Sequence, residues 1–532
     1  MYNRGLFHDW VPKLGMLLLI ILLVLVYLLI SPIYNGNIGQ MVSSTGIISE
    51  YFVWSTFASS IGMGVAIPLV MRIKMRFRSK EIMVTALVVM AILSVVIATT
   101  SSPEVIVVAS FLFGFVKLFG MLEVVLPVMF ILSPKGVKAQ FYSSFYPIAI
   151  ILGQMGSFFA AEFSLTSNWQ MMHFYSAGIL LGTALICIVM MHNLRFARKM
   201  PLYYIDWISV ILFSSSMMIL AYVFSFGKQQ AWFISPNILW ATIFSVLMAV
   251  ILVVRSFYMK RPYLSFKLFA LPNVRYGVLL IAGQGMFMGA ASLQSIYTNA
   301  ILGYNWMVNS SLSLMTIPGM VIAGFVSYHW TKNKLPIRMY IFSGFAAYIL
   351  YVVMLYFMMV PELNFERWYL PQLLNGYAMC SLFIAVWIYA LEKIPQKDIL
   401  LSVGSIMVFR SFVSMSFFSA LFGWLQYRLQ WQSVNNLAFY FDGVLMNTNP
   451  GVGNFRDVQL SAVLAANKTL LGYIIIAGLA LLTFIFFHRF GTFKYRIVRY
   501  NMSKSNKQHL KNTQIEKELG NEVEDVAGAI GV

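Results

Sequence analysis

Polar and apolar positions alternate along this chain on a scale of tens of residues rather than two or four. Apolar blocks of about twenty residues recur, each bounded by charges or turn residues. That is the length a helix needs to cross a hydrocarbon core about 30 Å thick, whereas barrel strands come as alternating segments of about ten. The blocks predict fourteen membrane helices, at 13–33, 49–71, 82–100, 105–132, 141–163, 171–191, 207–226, 237–254, 276–300, 307–329, 339–360, 369–391, 400–424 and 469–488. The fold class is therefore all-α and polytopic. A polar external segment, 425–468, rich in Asn, Gln and aromatics, precedes the last helix, and the polar tail 501–532 reads as disordered.

Composition agrees. Of 532 residues, 60% are hydrophobic and 10% charged, too few charges to coat a soluble protein of this size, where about 25% is usual. The net charge of +19 does not point to nucleic acid, because the basic residues sit in gaps between apolar blocks. With the N-terminus inside, the inner loops hold 20 Lys and Arg and the outer loops five, and Arg489–Lys517 adds eight more on the inner side. Both termini are thus expected in the cytoplasm, for a multi-pass membrane protein. Leu14–Ile30 is longer than a signal-peptide core and no small-residue cleavage site follows it, so it reads as an anchor. Cys187 and Cys380 both fall inside apolar spans, supporting neither a disulfide framework nor a metal site.

Enzyme chemistry finds little footing. The six histidines show no HExxH or HxxxxD spacing, there is no P-loop, and the first external loop, 35–48, has no acid. No cofactor is expected. Many spans joined by short loops suit a transporter of small molecules, and there the ionisable residues at membrane depth are the first functional candidates. These are Lys117, Glu123 and Arg410, with Gln154, Gln284, Gln294 and Asn375 as neutral polar residues for a substrate cavity. Each has a plainer reading: interhelical hydrogen bonds for the amides, snorkelling or internal pairing for Lys117. Glu123 is too deep to snorkel easily, and desolvation favours a neutral carboxyl. Lys117 is six residues from it, about 600° around the helix, so the two do not share a face. Arg410 is the candidate counter-charge. Pro127 leaves the Glu123 carbonyl without its helical partner.

Several stretches together resemble the fourteen-span drug:proton antiporter branch of the major facilitator superfamily, the EmrB/QacA type. Asn168-Trp169-Gln170-Met171-Met172-His173-Phe174 is similar to its N-W-R-W-I-F segment. Gly156-Ser157-Phe158-Phe159-Ala160-Ala161 falls on its antiporter motif G-P-x-x-G-G, with Gly156, Ser157, Ala160 and Ala161 keeping the small positions small. Asp206-Trp207-Ile208 opens the seventh span as the branch's D-W-I-G does, and Pro262–Gly277 resembles its linker into the ninth. Arg410 stands where an Arg is frequent in the penultimate span. The departures are also specific. The loop D-R-x-G-R-K appears as Met75-Arg76-Phe77-Arg78-Ser79-Lys80, leaving Arg76, Arg78 and Lys80 as a cytoplasmic gate loop. The first-span acid is missing, and R-x-x-Q-G is out of register, with only Lys117 and Gly120 nearby.

The resemblance implies a major facilitator fold of two six-helix bundles, 1–200 and 263–500, with two inserted spans and a linker at 201–262. It implies a substrate cavity between the bundles and proton-coupled efflux of hydrophobic or cationic compounds, with Glu123, Arg410 and Lys117 as proton-coupling candidates. It also implies a periplasmic membrane-fusion adaptor and an outer-membrane channel as partners, docked on 425–468. An importer, or an exporter of another small molecule, uses the same fold, and a non-transporting sensor or membrane enzyme is the alternative of a different class.

Overall fold

The computed structural model describes residues 6–133, 138–193, 205–259, 262–264, 266–333, 335–391, 394, 406–407, 409–440 and 452–488. Its regular elements are all helical. Twelve helices among the described residues, from Ser49–Leu69 to Val458–Phe487, are long and apolar enough to cross a membrane. They coincide with the second to twelfth and the fourteenth predicted spans. This is a multi-pass membrane protein.

The two remaining spans differ from expectation for local reasons. The first forms a 17-residue helix, Lys13–Leu29, because Ser31-Pro32 follows and Pro biases the residue before it away from helical geometry. The chain then makes a short helix, Ile38–Thr45, within the predicted external loop, closed by Gly46 at φ +69°. The thirteenth predicted span lies partly outside the described residues. It is a π-helical turn at Phe409–Ser414 and then an α-helix, Met415–Tyr440. Within the expected external segment 425–468 the chain is helical to Tyr440 and again from Val452. Its polarity marks helices that run on past the apolar layer, and no Gly or Pro interrupts the chain between Trp424 and Tyr440. The tail 501–532 lies outside the described residues.

The two halves of the chain repeat one packing scheme. The second span pairs with the fourth, and the third with the fourth and sixth; likewise the tenth pairs with the twelfth, and the eleventh with the twelfth and fourteenth. In both halves the first of these pairings is a glycine clasp. A Cβ on Gly62 would overlap the Phe111 carbonyl, and one on Gly114 the Ser59 carbonyl. Gly319 meets the Leu373 carbonyl, and Gly376 that of Thr316, in the same way. Small residues let backbones approach where lipid supplies no hydrophobic drive to associate.

The halves meet along the fifth span, Gln140–Thr166, and the tenth, Trp306–Lys332. At the end of the molecule that carries the basic loops, Ser143 Oγ lies 3.1 Å from Thr331 Oγ1 and accepts from Ser327 Oγ at 3.0 Å. Gly324 faces Pro147 so closely that a Cβ would lie 3.0 Å from its ring.

The seventh and eighth spans form a hairpin whose seventh helix packs on the second span and also touches Met415–Tyr440. Ser216 and Ser245 each donate to the other's carbonyl, at 2.8 and 2.9 Å. Asp206 caps the seventh helix through the Ser209 backbone N–H and is bridged by Arg255 Nη2 at 3.0 Å. Burial pushes this carboxyl up, but the Arg255 and Ser209 hydrogen bonds and the Arg255 charge outweigh it and hold it below its usual value. Trp54 of the second span donates its indole N–H to the Met218 carbonyl at 3.1 Å.

Candidate functional site

The deepest acid of the first half has a partner that the sequence does not reveal. Glu123 is 4% exposed and accepts from Lys74 Nζ at 3.0 Å. It lies nine residues before the end of the helix Pro103–Leu132, which places it about 13 Å from the basic end. Lys74 comes from the seven-residue helix Val70–Arg76 that continues the second span. The counter-charge of Glu123 is therefore Lys74 and not Arg410, which belongs to the other half.

Lys117, on the same helix, does not approach Glu123. Its ammonium donates to the Ile30 carbonyl at 2.7 Å, and Ile30 is the residue that closes the first helix. Gly120 is bare for a related reason: a Cβ there would overlap the Tyr27 hydroxyl. The lysine and the glycine thus dock the first span on the fourth.

The gate-loop residues act locally. At the start of the helix Ser79–Thr99, the Glu81 carboxylate accepts from the Arg78 backbone N–H at 2.9 Å and lies 3.9 Å from the Arg78 guanidinium. Lys80 donates to the Ile188 carbonyl at 2.6 Å, tying the third span to the sixth. Arg76 ends the helix Val70–Arg76, which carries Lys74 toward Glu123.

The motif at Gly156–Ala161 also packs. Gly156 lies against the Leu29 carbonyl, and Ala160 and Ala161 are fully buried. A Cβ on Gly36 would overlap the Ser157 carbonyl. Its small residues let the turn after the first span nest on the fifth.

Arg410 is 8% exposed and sits in the π-helical turn Phe409–Ser414. Its Nη1 donates to the Phe383 carbonyl at 3.2 Å, and its Cζ lies 3.0 Å from the Phe383 ring centroid. The same ring packs edge-on against Tyr146 of the fifth span at 4.7 Å, and Tyr146 also meets Trp387. Arg410 thus stands behind an aromatic layer where the two halves join. Tyr146, Phe383 and Trp387 carry no sequence signal of their own in a chain with 44 Phe and 28 Tyr.

The four amides disperse. Gln284 is buried and donates to the Met379 carbonyl at 3.4 Å, its Oε1 having no partner. Gln294 Oε1 accepts from the Tyr351 hydroxyl at 2.5 Å. Asn375 donates to Gln372 at 3.4 Å, one turn away on its own helix. Gln154 is half-buried on the fifth span. Gln284 has the strongest geometric claim on a polar ligand. Near the opposite end, the N-W-R-W-I-F-like segment supplies Trp169 and His173, packed edge-on at 5.8 Å, with His173 also beside Tyr34 at 5.9 Å. No group of three metal-ligating side chains occurs among the described residues.

No protein-family model matches the chain. It is 22% identical over 280 residues to YcnB of Bacillus subtilis (strain 168), an uncharacterised MFS-type transporter, a match covering 52% of this chain and 57% of YcnB. It is 25% identical over 177 residues to EmrY of Escherichia coli (strain K12), a probable multidrug resistance protein, covering 32% and 33%. The chain thus matches little more than half of the first relative and a third of the second. Among solved structures, the nucleoside transporter NupG aligns with TM-score 0.50 at 14% identity, over 89% of this chain and 99% of NupG. Tetrameric PepTSo2 aligns with TM-score 0.52 at 12% identity, over 88% and 96%. Such identities speak to fold alone. Sequence and structure together support the major facilitator superfamily, whose fold this chain has.

Proposed function

We propose that the chain is a secondary active transporter of the fourteen-span branch, exporting hydrophobic small molecules in exchange for protons across a bacterial inner membrane, with both termini in the cytoplasm. The observation that carries this reading is the Glu123–Lys74 pair. A carboxylate buried at membrane depth binds a proton only by giving up its ion pair, and breaking such a pair leaves the partner charge uncompensated. Proton binding at Glu123 would therefore release Lys74 and the short helix that bears it, at the basic end of the first half. Rocking of the halves about the fifth and tenth spans would then alternate the access of the layer around Arg410. The similarity to EmrY supports the drug-export reading. A membrane-fusion adaptor would dock on the helical extension beyond Trp424, where Tyr427 and Trp431 are exposed.

The test is substrate flux in proteoliposomes under an imposed pH gradient. Flux should follow the gradient. Glu123→Gln keeps shape and a hydrogen bond but cannot release a proton, so gradient-driven flux should fall sharply while substrate binding persists. Flux indifferent to the gradient in the unaltered protein would remove the antiport claim.

A further inference from the structure

Arg410 is a buried cation with unfinished business. Its Nη2 is buried without a hydrogen-bond partner, and no carboxylate among the described residues reaches ion-pair distance. Arginine stays protonated in proteins, and a buried charge left without compensation is expensive. Such a cost persists where something outside the chain relieves it, and ionisable residues at membrane depth mark substrate pathways. Three further observations converge on the same place. The guanidinium is presented by a π-helical turn, a distortion frequent at functional sites. Gln284 Oε1, on the ninth span, is likewise buried without a partner, and the Gln284 side chain lies beside the Tyr348 hydroxyl of the eleventh. The wall facing the first half is aromatic: Tyr146, Phe383 and Trp387.

We infer that this layer is a substrate site for amphiphilic organic anions, with Arg410 Nη2 taking a carboxylate and the aromatic wall taking the apolar body. The planar fork of Arg matches a carboxylate geometrically, and the ring of Phe383 already covers the guanidinium as an aromatic ligand would. The inference names the substrate class of the transporter proposed above and so rests on that reading. It replaces the cationic substrate with an anionic one, since a second cation beside an uncompensated guanidinium would be repelled.

The experiment uses the full chain in nanodiscs of neutral lipid and three fluorescent probes sharing one pyrene body: pyrenebutyrate, its methyl ester and the matching primary amine. The carboxylate should bind at least tenfold more tightly than the ester, and the amine weakest. Arg410→Gln should abolish the preference for carboxylate while ester binding persists on the aromatic wall. Where that variant fails to fold, Arg410→Lys decides: it keeps the charge without the fork, so carboxylate affinity should fall and ester affinity hold. Equal binding of carboxylate and ester, tighter binding of the amine, or a preference unchanged in the folded variant would overturn the inference. Binding needs no flux, which separates the two claims. Carboxylate binding without flux in proteoliposomes leaves the site and removes the transporter, whereas flux with an unchanged preference in the variant removes only the site.

Discussion

Replacing Lys74 by Met tests the proposed coupling pair more sharply than any change at Glu123. The substitution leaves a carboxylate that is 4% exposed without its cation, while the lost side chain was itself 18% exposed. Removing one partner of a buried pair costs about 3–5 kcal/mol. The destabilisation by Lys74→Met should be of that order. Adding Glu123→Gln should recover most of the loss, since replacing both partners removes the stranded charge. Lys74 has contacts besides Glu123, so part of the loss will remain. The assay is thermal unfolding of the purified protein in detergent for the two single variants and the double. A double variant no more stable than Lys74→Met would show that the pair contributes nothing to the fold.

Three other expectations are independent of that pair. Asp206→Asn should cost about 1 kcal/mol near neutral pH, after discounting the charge-assisted bond for the exposure of Arg255. Because the folded carboxyl is depressed, this stabilisation is complete above its unfolded value and is lost as pH falls through the folded one. Variant and parent should therefore converge in an unfolding series carried below about pH 4. Gly324→Val should wedge the fifth and tenth spans apart against Pro147, at the cost of about 1–3 kcal/mol usual for overpacking. Thiol labelling of a Ser327→Cys reporter, with Cys187 and Cys380 changed to Ser, should then rise; unchanged labelling would mean that this contact does not seal the basic end. Tyr427→Ala with Trp431→Ala should abolish co-purification of a membrane-fusion adaptor, and undiminished recovery would take this helix out of any adaptor interface.

Legibility in the sequence followed the range of the interactions. Eleven spans could be placed within a few residues because a twenty-residue apolar block is a local property, whereas the last begins eleven residues before its expected start at 469. The helices within 425–468 are not legible for the same reason: a polar composition describes a segment's solvent and not its backbone. Lys117, Arg410 and Glu123 stood out by being charged in apolar surroundings, but their partners did not. Lys74 is one of five basic residues between Arg72 and Lys80, and only the approach of the second span to the fourth selects it. Tyr146 and Phe383 are two aromatics among many until the halves are brought together. The small residues of Gly156–Ala161 were visible, whereas their partner, Gly36 in the turn after the first span, was not.

The paired glycine clasps also set a timetable for synthesis. In each half, two helices that must touch backbone to backbone are separated by about fifty residues, roughly 3–10 s of translation at about 5–20 residues per second. For that interval the second span, and later the tenth, waits in the bilayer with a bare groove that lipid fills poorly. A bulkier residue at Gly62 or Gly319 would have its first effect on this wait, before any substrate is met. It would show as slow assembly and proteolytic loss of nascent chains, while the molecules that escaped could still work. Low abundance with normal activity per molecule is thus the phenotype to look for at these positions.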